Sequence, residues 1–503
     1  MPRRHCLYLI LVFLLGAVFS RLSLSDRVLY EALNKVQKSS LEEVSRRELI
    51  EGALNGILAR SPYYPYTSYI PPEEENDFED EIQGVFSGIG IRHMAFDEAS
   101  GELWFTPIYG SPAWEAGLRF GDRITAIDGE KVEGKSLLEI MSCLRGEENS
   151  QVRLTVRSRA DILRAYCGTE SEKEELAKAE REGETRDEND VPAGEDAPDA
   201  ADANQEVLIT RGTVHLDVVC GYRRSGDGDW CYTIDDHPEI GYIRLDQFTE
   251  EAPVQWDEAL KALQEKNISA LILDLRGNPG GMLEGAVFLS SRFLPKGSEV
   301  ATVRGRGEAV KRRLVTGGGE KYDWRMAVLI DHESASAAEM VSGALADHGR
   351  ATLVGTRSYG KGTVQEILPL PRDMGTIRIT CASFYRPSGK PIHRLHDASD
   401  EDEWGIVPEK ENLIELDEYQ MTASALLTDY RSLPPADDDP AREALIRLIF
   451  DRAQKRDLFD DEDADTIAET ECDFVNPSSA DPQFERAVEI LLAGEKESEE
   501  KTH

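Results

Sequence analysis

Basic residues are scarce for a chain of 503, with 57 Lys and Arg against 96 Asp and Glu and a net charge of −39. That balance excludes nucleic acid and anionic membrane surfaces as electrostatic partners, because both require a cationic face. Cysteines are also few, seven in all, and none forms a Cys-x-x-Cys pair. His393-x-x-His396 lacks the further ligands that a zinc site needs, so no metal or cofactor is implied. Apart from Cys6–Phe19, the chain has no long apolar run ahead of its folded part. That run has the length of a signal-peptide core and is short for a membrane span. With Arg3, Arg4 and His5 before it and the small Ser20 after it, residues 1–20 are expected to direct export to the periplasm or another extracytoplasmic site. An uncleaved membrane anchor is the alternative. Cys220 and Cys231 flank a hairpin-like stretch, and either a bridge or two unpaired thiols fits that spacing.

The chain is long for one domain, so several are expected. Residues 21–83 read as a helical region: Val28, Leu29, Leu33 and Val36, then Leu49, Ile50, Leu54 and Ile57, recur at helical spacing. Residues 84–158 alternate short β-rich runs with Gly and Pro turns, as a small β-domain does. The order Gly110-Ser-Pro-Ala-Trp-Glu-Ala-Gly-Leu followed by Gly121-Asp-Arg-Ile resembles a PDZ domain of the bacterial protease type. Such domains add a protein's C-terminal tail as an extra strand and hold its carboxylate on backbone N–H groups. On that resemblance Gly88, Ile89, Gly90 and Ile91 would supply them.

Residues 159–206 are expected to form an acidic disordered insert, since 169–206 carries fifteen acids, four bases and few large apolar residues. From Glu206–Thr210 onward, strands and helices alternate through Gly241–Leu245, Val254–Glu265, Ala270–Leu275, Leu283–Leu294, Met326–Ile330, Ser336–Ala346 and Ala351–Val354. That is the order of an α/β core with buried parallel strands, assigned to 207–410. An acidic helical region fills 411–503. The fold class is therefore mixed α/β and β, multidomain.

Three short segments carry the chemistry. The buried strand Leu271–Leu275 runs into Arg-Gly-Asn-Pro-Gly-Gly, which fits neither the Walker loop nor the dinucleotide spacing. Consecutive glycines there expose backbone N–H groups of the kind that stabilise an acyl-transfer oxyanion. Ser336 with Glu339 matches a helix capping box, and a serine in a helix's first turn also sits where the dipole favours developing negative charge. Lys361 stands between Gly360 and Gly362, four residues before Gln365. A lysine is a base only when neutral, which burial promotes, and an amide orients it without raising its pKa as a carboxylate would.

Taken together, from about Leu41 to Val407, these segments closely resemble the C-terminal processing peptidases, or tail-specific proteases, of the Ser-Lys class. The motifs are Tyr69-Ile-Pro-Pro-Glu-Glu, the PDZ phrases, Leu273-Asp-Leu-Arg-Gly-Asn-Pro-Gly-Gly, Ser334-Ala-Ser-Ala-Ala-Glu, Tyr359-Gly-Lys-Gly-Thr-Val-Gln and Tyr385-Arg-Pro-Ser-Gly-Lys. The resemblance implies a serine endopeptidase with Ser336 as nucleophile, Lys361 as base and Gln365 as its orienter. It implies an oxyanion hole from the N–H of Ala337 and of Gly280 or Gly281, and a tail-sensing Arg145. Protein C-terminal tails are the implied partners, and a homo-oligomer is compatible with it. Glu333, where the family usually has glycine, and the long acidic insert depart from the pattern. Two other readings compete: a catalytically silent peptide-binding scaffold, and a Ser-His-Asp hydrolase using His332 or His348.

Overall fold

A computed structural model describes residues 24–63, 66–75, 85–96, 101–158, 204–319, 321–434 and 481–500. The expected export signal, most of the acidic insert and the acidic stretch 435–480 lie outside the described residues. Among the described residues no helix is long and apolar enough to cross a membrane. The chain divides into two units, Met1–Phe78 with Val364–Ala382, and Glu79–Thr363 with Ser383–His503.

In the first unit, the helices Leu24–Ser39 and Arg46–Leu58 follow the apolar spacing of the sequence. Ser45 and Glu48 exchange hydrogen bonds at the start of the second, satisfying two N–H groups that a helix end leaves open. The strand Ser68–Ile70 pairs antiparallel with 376–378, and Tyr69 Oη donates to Met374 O at 2.8 Å.

In the second unit, a six-stranded antiparallel sheet contains Ile91–Phe96, Leu103–Pro107, Arg123–Ile127, Gln151–Arg157 and Asn204–Thr210 in that spatial order, with Glu130–Lys131 on Arg123–Ile127. Alternate residues point inward, so Leu103, Phe105, Ile124, Val152, Leu154 and Ile209 form one core with Ile140 and Leu144 of the helix Leu137–Leu144. The sequence reading assigned Glu206–Thr210 to the α/β core. The structure instead pairs it with Gln151–Arg157 over seven registered residues. Alternation alone does not tell a strand which sheet to join.

A second sheet orders Val219–Cys220, Ile240–Leu245, Ala270–Asp274, Arg325–Ile330 and Thr352–Gly355, the last four parallel. Both of its faces are covered, which explains the unbroken apolar runs. The helices Ala252–Glu265, Leu283–Ser290 and Ala337–Asp347 pack in succession. Against the strand residues Tyr242, Ile272, Ala327 and Leu329 lies the helix Pro482–Glu500, through Phe484, Ala487, Val488 and Leu491. The sequence showed this helix only as part of an acidic tail. Arg276 anchors its start by binding Asp481 at 2.9 Å as well as Asp274 at 2.7 Å. Burial alone would raise the Asp274 carboxyl, but the Arg276 guanidinium holds it below the usual range. Cys220 and Cys231 are both free thiols, so no bridge closes the hairpin.

Phe484→Ala should destabilise the α/β core by about 3–5 kcal/mol, the cost of removing a buried ring. Leu138→Ala, at a position 74% exposed, should change stability by no more than about 0.5 kcal/mol. Urea unfolding followed by tryptophan fluorescence and circular dichroism measures both.

Candidate active site

Two loops leave the carboxyl ends of neighbouring parallel strands, 275–282 after Ala270–Asp274 and 331–336 after Arg325–Ile330. Short polar side chains lock them together. Asp331 Oδ1 accepts from the N–H of Gly277, Glu333 and Ser334, each at 3.0 Å. Ser334 Oγ donates to Leu275 O at 2.8 Å, and Ala335 N–H donates to Asn278 O at 2.8 Å. Asn278 is fully buried; its amide donates to Leu245 O at 2.6 Å and accepts from Gly280 N–H at 2.8 Å.

This clamp brings the glycines against the serine. A Cβ on Gly280 would stand 2.6 Å from Ser336 Cβ and 2.9 Å from Ala335 O, at a φ of +100°. Only glycine permits that approach. Ser336 has φ 54° and ψ −111°, a conformation that a residue with a side chain adopts at a cost and that functional sites retain. It opens the helix Ala337–Asp347, whose first N–H groups have no acceptor within the helix. Ala337 N–H is one of these. Gly280 N–H is taken up by Asn278. The segment pairs with Phe248 through Gly280 O and Met282 N–H, so Gly281 N–H takes no part in that pairing.

Glu339 joins the serine to the lysine. Its carboxylate is fully buried and accepts from four donors: Ser336 N–H at 2.8 Å, Lys361 N–H at 2.8 Å, Gly360 N–H at 2.7 Å and Ser358 Oγ at 2.6 Å. The Ser336 and Lys361 N–H groups meet the same oxygen, Oε2. Burial pushes the Glu339 carboxyl up to about 7, while the donors pull it down. The Ser-x-x-Glu spacing was legible as a cap, but the three donors from the 358–361 segment were not. Ser336 and Lys361 are themselves half-buried.

The lysine turn is held just as closely. A Cβ on Gly360 would lie 2.7 Å from Arg394 Cβ, and one on Gly362 would lie 2.2 Å from His393 N. Gln365 stands on the strand Thr363–Pro369, where its amide donates to Thr380 Oγ1 at 3.4 Å. His348 lies at the far end of the serine's own helix, roughly 18 Å away at 1.5 Å per residue. His348 therefore cannot serve Ser336 as a base, and His332 is exposed.

In the antiparallel sheet, Ile91–Phe96 is an edge strand with no neighbour on its outer side among the described residues. The loop before it is tied inward by its carbonyls. Ala113 N–H donates to Ile89 O at 2.7 Å, and Ile108 N–H and Ser111 Oγ donate to Gly90 O at 3.0 Å each. A trans peptide points its N–H opposite its C=O, so the N–H groups of Gly90 and Ile91 turn outward. Gly88 differs, ending a strand paired with Gly212–His215. Arg145 is exposed at the end of the helix Leu137–Leu144. The sequence reading missed its buried neighbour Arg211, which donates to Cys143 O at 2.7 Å, Leu144 O at 3.2 Å and Gln151 O at 3.0 Å.

Glu339→Gln places an NH2 among four donors, and peptide hydrolysis should fall by at least about a hundredfold with the fold kept, since small misplacements of reacting groups cost that much. Stability gives a second test. A carboxyl raised from 4.5 to about 7 in the folded state contributes stability that is fully present below 4.5 and is lost as pH rises through 7. The wild type should therefore lose stability relative to Glu339→Gln across that window, as read by urea unfolding at stepped pH.

The sequence matches the family model of peptidase family S41 over residues 239–403 and that of the PDZ domain over 106–158. The carboxy-terminal-processing protease of Bartonella bacilliformis is 33% identical over 354 residues, covering 69% of this chain and 68% of its own. The carboxyl-terminal-processing protease of Synechocystis sp. is 32% identical over 340 residues, covering 67% of each. Among solved structures, a photosystem II D1 C-terminal processing protease aligns with 78% of this chain and 94% of its own at 21% identity and a TM-score of 0.42. The chain belongs to the carboxy-terminal processing proteases of peptidase family S41, serine peptidases that carry a PDZ domain and act on protein substrates.

Proposed function

We propose that Ser336 is the nucleophile of this peptidase, Lys361 its general base and Gln365 the group that orients the lysine. Neutral Lys361 Nζ takes the Ser336 hydroxyl proton as Oγ attacks the scissile carbonyl. The N–H groups of Ala337 and Gly281 receive the oxyanion, and Gly280 provides the close approach rather than a donor. Lys361 then passes its proton to the leaving amine, and water repeats the cycle on the acyl-enzyme. The observation that carries this reading is the shared Glu339 oxygen, which holds the backbone of nucleophile and base on one acceptor.

Substrate tails enter as an added strand on the open edge of Ile91–Phe96, with the terminal carboxylate on the outward N–H groups of Gly90 and Ile91. Arg145, at the end of the helix Leu137–Leu144, responds to the bound tail. The N-terminal segment exports the enzyme, and its removal after Ser20 gives the working form; N-terminal sequencing of exported protein separates this from a retained anchor.

Ser336→Ala and Lys361→Ala should each lower cleavage of a tail peptide by at least about a thousandfold while tail binding persists. Peptide libraries with free and amidated C-termini, digested and read by mass spectrometry, test recognition. Cleavage should favour the free carboxylates, and equal cleavage would remove the tail-docking step. Activity retained by Lys361→Ala would remove the Ser-Lys mechanism.

A further inference from the structure

The carboxyl ends of all four parallel strands converge on a cavity of about 320 Å³, whose lining includes none of Ser336, Lys361, Gly280 and Gly281. Arg244 is the last residue but one of the first strand, Gly277 follows the second, Asp331 and Glu333 follow the third and Thr356 follows the fourth. Glu415 and the helix Glu418–Arg431 close it from above. In open α/β sheets this crevice is where ligands bind.

The charges around it are unevenly engaged. Asp331 is occupied by backbone N–H groups, and Arg276 by Asp274 and Asp481. Arg244 is bound at Nε by Asp246 at 2.6 Å and also feels the charge of the buried Asp274. Glu333 and Glu415 have no ion pair among the described residues. Gly277 leaves the space between opposite signs empty: a Cβ there would stand 3.8 Å from Glu333 Oε2 and 3.9 Å from Arg244 Nη2. The buried hydroxyl of Thr356, on the same wall, has no hydrogen-bond partner. One guanidinium facing two carboxylates is complementary to a molecule with a single anionic end and a single cationic end. The volume holds on the order of ten waters, the scale of a dipeptide.

We propose that this cavity binds a short zwitterionic peptide, its carboxylate on Arg244 and its ammonium between Glu333 and Glu415. The source of such a ligand rests on the peptidase reading, because each cleavage of a tail frees a peptide with a new amino terminus and the original carboxylate. The cavity wall includes Gly277 and Asp331, which fix the glycine loop to the serine loop. Occupancy therefore acts on turnover, as feedback by product.

The test is calorimetry on full-length Ser336→Ala protein titrated with alanyl-alanine. N-acetyl-alanyl-alanine and alanyl-alanine amide, each lacking one charge, are the comparison ligands. The free dipeptide should bind, and each capped form should bind about tenfold more weakly. Glu415→Gln and Arg244→Gln should each weaken the free dipeptide about tenfold, with circular dichroism unchanged. With wild-type enzyme and a long tail peptide, alanyl-alanine should lower kcat and leave KM unchanged. Absence of binding overturns the proposal. So does equal affinity for the acetylated form, which describes a carboxylate-only site such as the PDZ loop, or indifference to both substitutions. If the wild type fails to cleave tail peptides, the functional reading falls, while the binding result in Ser336→Ala protein is decided separately.

Discussion

A single buried carboxylate organises the catalytic region. Glu339 gathers N–H groups from Ser336, Gly360 and Lys361 and the hydroxyl of Ser358. These donors come from two segments more than twenty residues apart in sequence, and without a common acceptor their N–H groups would be buried unsatisfied. The arrangement trades the desolvation of one carboxylate, visible as a pKa pushed up to about 7, for four charge-assisted hydrogen bonds. Backbone N–H groups from both segments thus meet on one acceptor, which fixes the Ser336 and Lys361 main chain relative to each other.

The parallel sheet provides the frame for that carboxylate. Adjacent strands deliver the glycine loop and the serine loop side by side, and hydrogen bonds at 2.8–3.1 Å close the gap, from Gly277 N–H to Asp331, Ser334 Oγ to Leu275 O and Ala335 N–H to Asn278 O. The close contact of Gly280 with Ser336 depends on that register; a Cβ on Gly280 would already stand 2.6 Å from Ser336 Cβ. The C-terminal helix covers one face of the same sheet, and Arg276 links its first turn to the strand that feeds the glycine loop. Core stability and loop geometry are thus coupled through one guanidinium. The crevice at the strand ends uses the same frame, and Glu333 of the serine loop lies on its wall.

The loop before the edge strand Ile91–Phe96 follows the same logic at smaller scale. Its carbonyls are drawn inward by Ala113, Ile108 and Ser111, and the planarity of the peptide unit then presents the opposite N–H groups to the edge of the sheet. Gly90, at φ +79° and with Ser111 Cβ 2.2 Å from where its own would be, is the residue that makes the turn.

The sequence by itself determined the element order, the antiparallel and α/β classes and the candidates for the reactive residues. Apolar periodicity, paired glycines and the Ser-Ala-Ala-Glu and Gly-Lys-Gly runs are local properties. Tertiary structure decided what depends on distant partners. It placed Asn204–Thr210 in the antiparallel sheet, because strand alternation fits either sheet and only the register with Gln151–Arg157 separates them. It turned part of an acidic tail into a core helix, since four apolar residues at helical spacing acquire meaning only against a waiting sheet face. It directed Gly280 N–H to Asn278 and left Gly281, and it gave Glu339 three donors beyond its own helix. A hydrogen bond across twenty residues has no periodicity to reveal it; only the folded chain brings the donor to the acceptor.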